Sequence, residues 1–230
     1  MLCPLPPLSI ISPSRESPDE GTPPSYTDDV IRCAITDASR FGPNFEAQLS
    51  GLLADAARWA ELGVDFVQLR EKMLGAGELS QLAKAMMAVL REYGGNTKLL
   101  VNGRADVALA AGADGVHLSS SPNELTAAQL RQLFAGMGKG DAIVSTSCHS
   151  LADSIRARDA GVDFILFGPV FGKTVGRVLV ADATGLDALR DVCEAAGGVP
   201  VLALGSVDEE NAATCLAAGA AGVAGIRLFS

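Results

Sequence analysis

A short motif recurs along this chain at a nearly constant interval, and it restricts the available folds more than any other feature. Gly63-Val64-Asp65-Phe66, Gly112-Ala113-Asp114-Gly115, Gly161-Val162-Asp163-Phe164 and Gly219-Ala220-Ala221-Gly222 each stand at the entrance to an apolar run. The first three glycines are 49 residues apart, and the fourth follows after 58. A period of this length marks one supersecondary unit used repeatedly. Each Gly suits the left-handed residue that ends a helix. The residues after it turn the chain back into a strand.

Eight apolar runs fit that scheme: Arg32–Thr36, Phe66–Arg70, Lys98–Asn102, Gly115–Leu118, Ala142–Thr146, Phe164–Phe167, Pro200–Leu204 and Gly222–Ile226. Ala/Leu-rich segments with helical spacing, such as Phe45–Leu62 and Glu78–Tyr93, separate most of them. Strand and helix in alternation predict a parallel sheet of the α/β class. Four units of two strands and two helices close a ring of eight, a (β/α)8 TIM barrel; a doubly wound open sheet is the alternative. The chain has 230 residues, the size of one such barrel. It is 48% hydrophobic but only 5% aromatic, as expected where small side chains pack on strands covered on both faces. The last run ends so close to Ser230 that the eighth helix is missing. Either the N-terminal arm or a partner copy in a homo-oligomer covers the gap, or the chain is truncated.

Residues 1–28 hold seven of the eleven prolines and read as a disordered arm; residues 29–230 form the barrel domain. The net charge of −9 argues against a nucleic-acid partner, which calls for basic stripes. It leaves anionic small molecules open, because the field in a cleft can oppose the global charge. Five cysteines without a CxxC pair speak against a disulfide framework or a zinc site and for reduced thiols. No apolar run is long enough to span a membrane. The first residues lack the positive charge of a signal peptide. A cytoplasmic location is expected.

Barrels of this type place chemistry where the strands end. His149 lies just past the fifth run, in Ser147-Cys148-His149-Ser150, and is the candidate acid/base group. His117, inside an apolar run, reads as a satisfied core histidine. Cys148 is a weak nucleophile candidate, since neighbouring side chains on an extended segment point apart. Gln68, Arg70 and Lys72 share parity and should face the barrel axis, with Glu71 pointing away. An anionic substrate is their natural partner; an internal ion-pair network is the alternative. Asn102, Ser147, Lys173 and Thr174 complete the substrate-binding candidates. Gly205, Ser206, Gly225, Ile226 and Arg227 follow the seventh and eighth runs, the usual phosphate site of such barrels.

Phe66-Val67-Gln68-Leu69-Arg70-Glu71-Lys72, Asn102-Gly103-Arg104, Gly112–Leu118 and Phe167-Gly168-Pro169-Val170-Phe171 together resemble the thiamine phosphate synthase and thiazole tautomerase (TenI) family, from about Ile31 to Phe229. The resemblance implies a thiamine-biosynthesis enzyme acting on a small phosphorylated thiazole. In the synthase branch, two acidic residues hold magnesium while a pyrimidine pyrophosphate joins the thiazole phosphate. Gly103 and the loop Ser119-Ser120-Ser121-Pro122 stand here in their place. The tautomerase branch looks closer. There, the histidine matching His149 shuttles a proton that aromatises a thiazole carboxylate phosphate without a metal or other cofactor, and the resemblance gives Arg70 the carboxylate. Lys72 and Gln68 keep the synthase pattern; Ser206 replaces a family Gly, and Arg227 a small residue. Synthase with magnesium and an inactive thiazole- or thiamine-phosphate-binding regulator are the alternatives.

Overall fold

The computed structural model describes residues 30–229 except Gly94, Pro122, Gly176 and Arg177, with the side chains of residues 173–181 excluded; the expected arm lies outside that range. In chain order the strands are β1 (Ile31–Ile35), β2 (Phe66–Leu69), β3 (Lys98–Asn102), β4 (Gly115–Leu118), β5 (Ile143–Cys148), β6 (Phe164–Phe167), β7 (Lys173–Val175), β8 (Val178–Ala181), β9 (Val201–Leu204) and β10 (Gly222–Gly225). All but β7 and β8 pair in parallel and close a barrel, with β10 returning to β1. The helices are α1 (Phe45–Glu61), α2 (Ala76–Glu92), α3 (Ala105–Ala111), α4 (Ala127–Gly136), α5 (Leu151–Asp159), α6 (Gly185–Ala195) and α7 (Ala212–Ala217). None of these described helices is long and apolar enough to cross a membrane.

The repeated motif works as the spacing predicts, and adds a device. Gly63, Gly112, Gly161 and Gly219 take φ of 67°, 70°, 71° and 101°, a region only glycine enters without penalty. In the first three units the aspartate two residues on accepts a backbone amide from the preceding strand. Asp65 takes Arg32 N–H at 2.7 Å, Asp114 takes Leu99 N–H at 2.9 Å, and Asp163 takes Val144 N–H at 2.6 Å. Each carboxylate thereby stitches two strands at the N-terminal end of the barrel.

Alternation along the strands gives the interior two zones. Cys33, Ile35, Leu100, Phe164, Leu166, Leu202 and Ala224 form a closed apolar cluster. Further along the same faces come Gln68, Asn102, His117, Ser145 and Ser147, a polar layer under the C-terminal mouth. The opposite faces join the helices in the larger core, where Trp59, Leu52, Leu82, Met86 and Leu130 are almost fully buried. Burying each such side chain contributes roughly 1.5–3 kcal/mol.

One feature differs from the sequence reading, and the missing eighth helix agrees with it. Between β6 and α6 the short strands β7 and β8 pair antiparallel, which the eight-run reading did not include; the β-prone run Val178-Leu179-Val180 is their signal. No helix follows β10 among the described residues. Instead Leu228 and Phe229 pack against the core, and the Phe229 carbonyl accepts Trp59 Nε1–H from α1 at 3.1 Å.

Candidate functional site

The mouth begins where β1 and β2 end. Thr36 Oγ1 accepts Arg70 N–H at 2.9 Å, and Glu71 Oε1 accepts Ala38 N–H at 3.0 Å. Parity pointed Glu71 outward, to solvent or to a helix, and it meets the helix: Ala38 opens the short 3-10 helix Ala38–Phe41. Glu71 is half-buried, and burial raises its pKa against the opposing pull of the Thr36 and Ala38 hydrogen bonds. Of the three residues expected to face the axis, Gln68 lies on the inward face of β2, beside Asn102. β2 stops at Leu69, and Arg70 and Lys72 stand exposed on the rim. Neither makes an ion pair among the described residues. Gln68 Nε2 donates to Asn102 Oδ1 at 2.9 Å, while its buried Oε1 has no partner. A buried acceptor left unpaired is costly unless a ligand or water donates to it.

His117 sits in the polar layer, 1% exposed. Its Nδ1 lies 2.8 Å from Ser145 Oγ and its Nε2 2.8 Å from Ser147 Oγ. Desolvation, then the positive charge of Arg70, lowers its pKa to about 3. It is the satisfied core histidine the sequence suggested, neutral at physiological pH.

His149 is different. Its ring is exposed at the mouth, and Nδ1 lies 2.5 Å from the Gly168 carbonyl. A carbonyl only accepts, so Nδ1 carries the hydrogen. Nε2 of the neutral ring then offers a lone pair. The backbone amide of His149 is used separately, donating to Asp153 Oδ2 at 3.1 Å, beside the cap that Ser150 makes on α5. Gly168 itself must be glycine because of its packing against β9: a Cβ there would lie 2.1 Å from the Leu204 carbonyl oxygen. Cys148 is buried, and desolvation pushes its thiol up to about 11, so no thiolate nucleophile is available.

Gly205, Ser206, Gly225, Ile226 and Arg227 line one cavity of about 410 Å³ after β9 and β10. Gly205 takes φ 100° and Ser206 φ 50°. Asn211 Nδ2 donates to the Ser206 carbonyl at 2.9 Å. Asp37 and Asp208 line the same cavity, and their charges oppose an anion. Both are partly engaged: Asp37 by the Ser39 amide and hydroxyl, Asp208 by the Glu210 and Asn211 amides. The side chains of Lys173 and Thr174 lie outside the description.

Sequence reasoning missed Ser145, Gly168, Asp153 and Glu124. Glu124 reaches back from the loop after β4, accepts Ser119 Oγ–H at 2.8 Å and sits beside Gly103. It lines a second cavity, about 540 Å³, together with Ser119–Ser121, Ser147, Cys148, Asp153 and Arg156. Nothing in the local sequence signals that approach, because it depends on how the loop folds.

The model of the thiamine monophosphate synthase (TMP-TENI) family matches residues 33–229. The chain belongs to this family of thiamine-biosynthesis barrels. It is 43% identical over 162 residues to a putative thiamine-phosphate synthase of Geobacter sulfurreducens, covering 70% of this chain and 71% of the relative. To the putative thiamine-phosphate synthase 2 of Aquifex aeolicus it is 38% identical, covering 85% of this chain and 95% of the relative. Among solved structures it resembles a thiamine phosphate pyrophosphorylase from Pyrococcus furiosus, with TM-score 0.67 and 28% identity over 86% of each chain.

The synthase branch implies magnesium, which requires hard oxygen ligands, commonly carboxylates. Beside Gly103 this chain offers one carboxylate, Glu124, already bonded to Ser119. Asp106 is occupied by the Arg104 fork at 2.8 and 2.6 Å, which holds its pKa down near 2. Among the described residues no three His, Cys, Asp or Glu side chains gather to hold an ion. The residues present do not fit a two-carboxylate magnesium site.

Proposed function

We propose that this chain is a metal-independent thiazole tautomerase, which moves a proton on a small thiazole carboxylate phosphate to make the ring aromatic. The observation that carries the reading is the state of His149. Its Nδ1–H is fixed on the Gly168 carbonyl, which leaves Nε2 as the base at an open mouth. Such an isomerisation needs one positioned group that takes a proton from one atom and returns it to another. Nothing is oxidised, and no group leaves. Arg70 on the rim meets the substrate carboxylate, with Lys72, Gln68, Asn102, Ser147, Lys173 and Thr174 around it. The phosphate lies in the cavity of Gly205, Ser206, Gly225, Ile226 and Arg227, where the Arg227 guanidinium and the loop amides meet it while Asp37 and Asp208 are engaged by their own hydrogen bonds.

A second reading is thiamine phosphate synthase, which joins hydroxymethylpyrimidine pyrophosphate to thiazole phosphate. The names of the relatives favour it, and so do Gln68 and Lys72. The carboxylates beside Gly103 do not. The two readings separate in one experiment. The purified chain is given the non-aromatic thiazole tautomer alone, then the two synthase substrates with and without magnesium. Aromatisation without metal supports the first reading. Magnesium-dependent thiamine phosphate with no aromatisation replaces it with the second.

A further inference from the structure

Ser145, His117 and Ser147 form one hydrogen-bonded line from the barrel interior to its mouth. Ser145 is 0% exposed and His117 1%, while Ser147 is half-buried. In a neutral imidazole one nitrogen donates and the other accepts, whereas a serine hydroxyl can do either. The line therefore has two possible polarities. In one, Ser145 donates to Nδ1, and Nε2–H donates to Ser147 Oγ. In the other, Ser145 accepts, and its own hydrogen is left in the interior. Among the described residues Ser145 Oγ has no hydrogen-bond partner besides His117. A buried donor left unmade is unfavourable, so the first polarity is selected.

We infer that His117 is a positioning residue: held by Ser145, it donates to Ser147 and turns the Ser147 hydroxyl hydrogen into the mouth, where it selects an anionic oxygen of the substrate. The consequence for specificity rests on the mouth being the substrate site proposed above. The proton direction does not. With its oxygen already accepting from His117, Ser147 greets a ligand as a donor, so a carboxylate or phosphate oxygen is matched and an amino group is not. The two histidines, on one strand and just past its neighbour, thus hold opposite tautomers: Nε2–H at His117 and Nδ1–H at His149.

The chain has only two histidines, so ring-15N labelling of the full chain gives a spectrum that His149→Gln assigns. At pH 7 the His117 Nε2 signal should be of the protonated type and its Nδ1 of the unprotonated type. A protonated Nδ1 at His117, or an average of both tautomers, overturns the inference. Ser145→Ala, checked for folding by circular dichroism, should lose the single tautomer. It should also weaken binding of the thiazole carboxylate phosphate by about 3- to 10-fold, the range for one ordinary hydrogen bond. Ser145→Thr, which keeps the hydroxyl, should restore both. If Ser145→Ala leaves tautomer and affinity unchanged, the orienting chain is refuted. If the wild type shows the expected tautomers but binds no thiazole phosphate, the substrate reading fails while the proton direction stands.

Discussion

At the N-terminal end of this barrel three aspartates do one job; at the C-terminal end the polar residues are put to several. Asp65, Asp114 and Asp163 come from equivalent positions of the repeat and each accept a strand amide from the strand before. Their partners are all inside the protein. At the mouth, Gln68 Oε1 is unpaired, Arg70 and Lys72 have no ion pair among the described residues, and His149 keeps a free nitrogen. The aspartate rim contributes stability, although Arg32 Nε beside Asp65 is also unpaired among the described residues; the mouth has a buried acceptor and two exposed cations with bonding capacity left for a ligand. The barrel divides these tasks between its ends.

The largest effect that can break this comparison is kinetic. His149→Asn should lower tautomerase turnover by about 10²- to 10⁴-fold, the usual scale for a positioned acid/base group. Stability should move by no more than about 0.5 kcal/mol, as for other exposed positions. Denaturant melts beside rate measurements check both. A large loss of stability would mean that the mouth, too, is structural.

Acid should reveal the buried half of the polar layer. His117 has a folded pKa of about 3, below its ordinary value near 6.5, because burial and Arg70 oppose its charge. The unfolded chain therefore binds a proton that the folded chain refuses. The neutral-histidine state is stable above the unfolded pKa, and stability falls as pH drops from about 6.5 toward 3. The slope is about 1.4 kcal/mol per pH unit. Between pH 6.5 and 5 ordinary carboxylates remain ionised; Glu71, whose pKa burial raises, gains stability as pH falls, so the window reports on histidine in a Glu71→Gln background. Urea midpoints that stay flat there would show that His117 is not held neutral.

The opposite rim gives a smaller, purely structural effect. Asp114 is 13% exposed at its side chain, holds Leu99 N–H and pairs with Arg91 at 3.1 Å. Asp114→Ala strands that amide and should cost about 2 kcal/mol, the typical penalty for an unpaired buried donor. Ligand affinity at the mouth should not change. A parallel loss of affinity would show that the two ends are coupled.

How much of this was readable from the chain follows the same division. The repeat announced the barrel, since Gly-x-Asp at a fixed period is a local signal with a local cause. The role of the aspartates was not announced, because their amide partners lie some fifteen to thirty-three residues away. His149 stood out as a polar residue at a strand end, but its tautomer depends on Gly168, which only the closed barrel brings near. Parity served Gln68, but the period of two lasts only as long as the strand, and β2 ends at Leu69, so it does not reach Arg70, Glu71 and Lys72. Glu124 was invisible, because an irregular loop carries no period at all.

Ser206 offers the smallest test and the sharpest, because strain and recognition meet in one residue. It is the one described non-glycine residue with positive φ, at 50°, and a left-handed L-residue costs about 1–2 kcal/mol. Ser206→Gly removes that strain but loosens the unfolded chain, an offset of about 0.4–1 kcal/mol. A net gain of about 0.5 kcal/mol is expected. The effect on phosphate affinity then tells which part of Ser206 matters. If the amide is what meets the phosphate, glycine keeps the affinity and the strain is incidental. If the hydroxyl is the donor, the variant is more stable but binds inorganic phosphate about 3- to 10-fold more weakly, as loss of one hydrogen bond predicts. In that case the strain at Ser206 is tolerated for recognition, as the comparison of the two rims requires. A variant that is less stable and binds equally well would break it, because the mouth would then hold a residue that serves the fold alone.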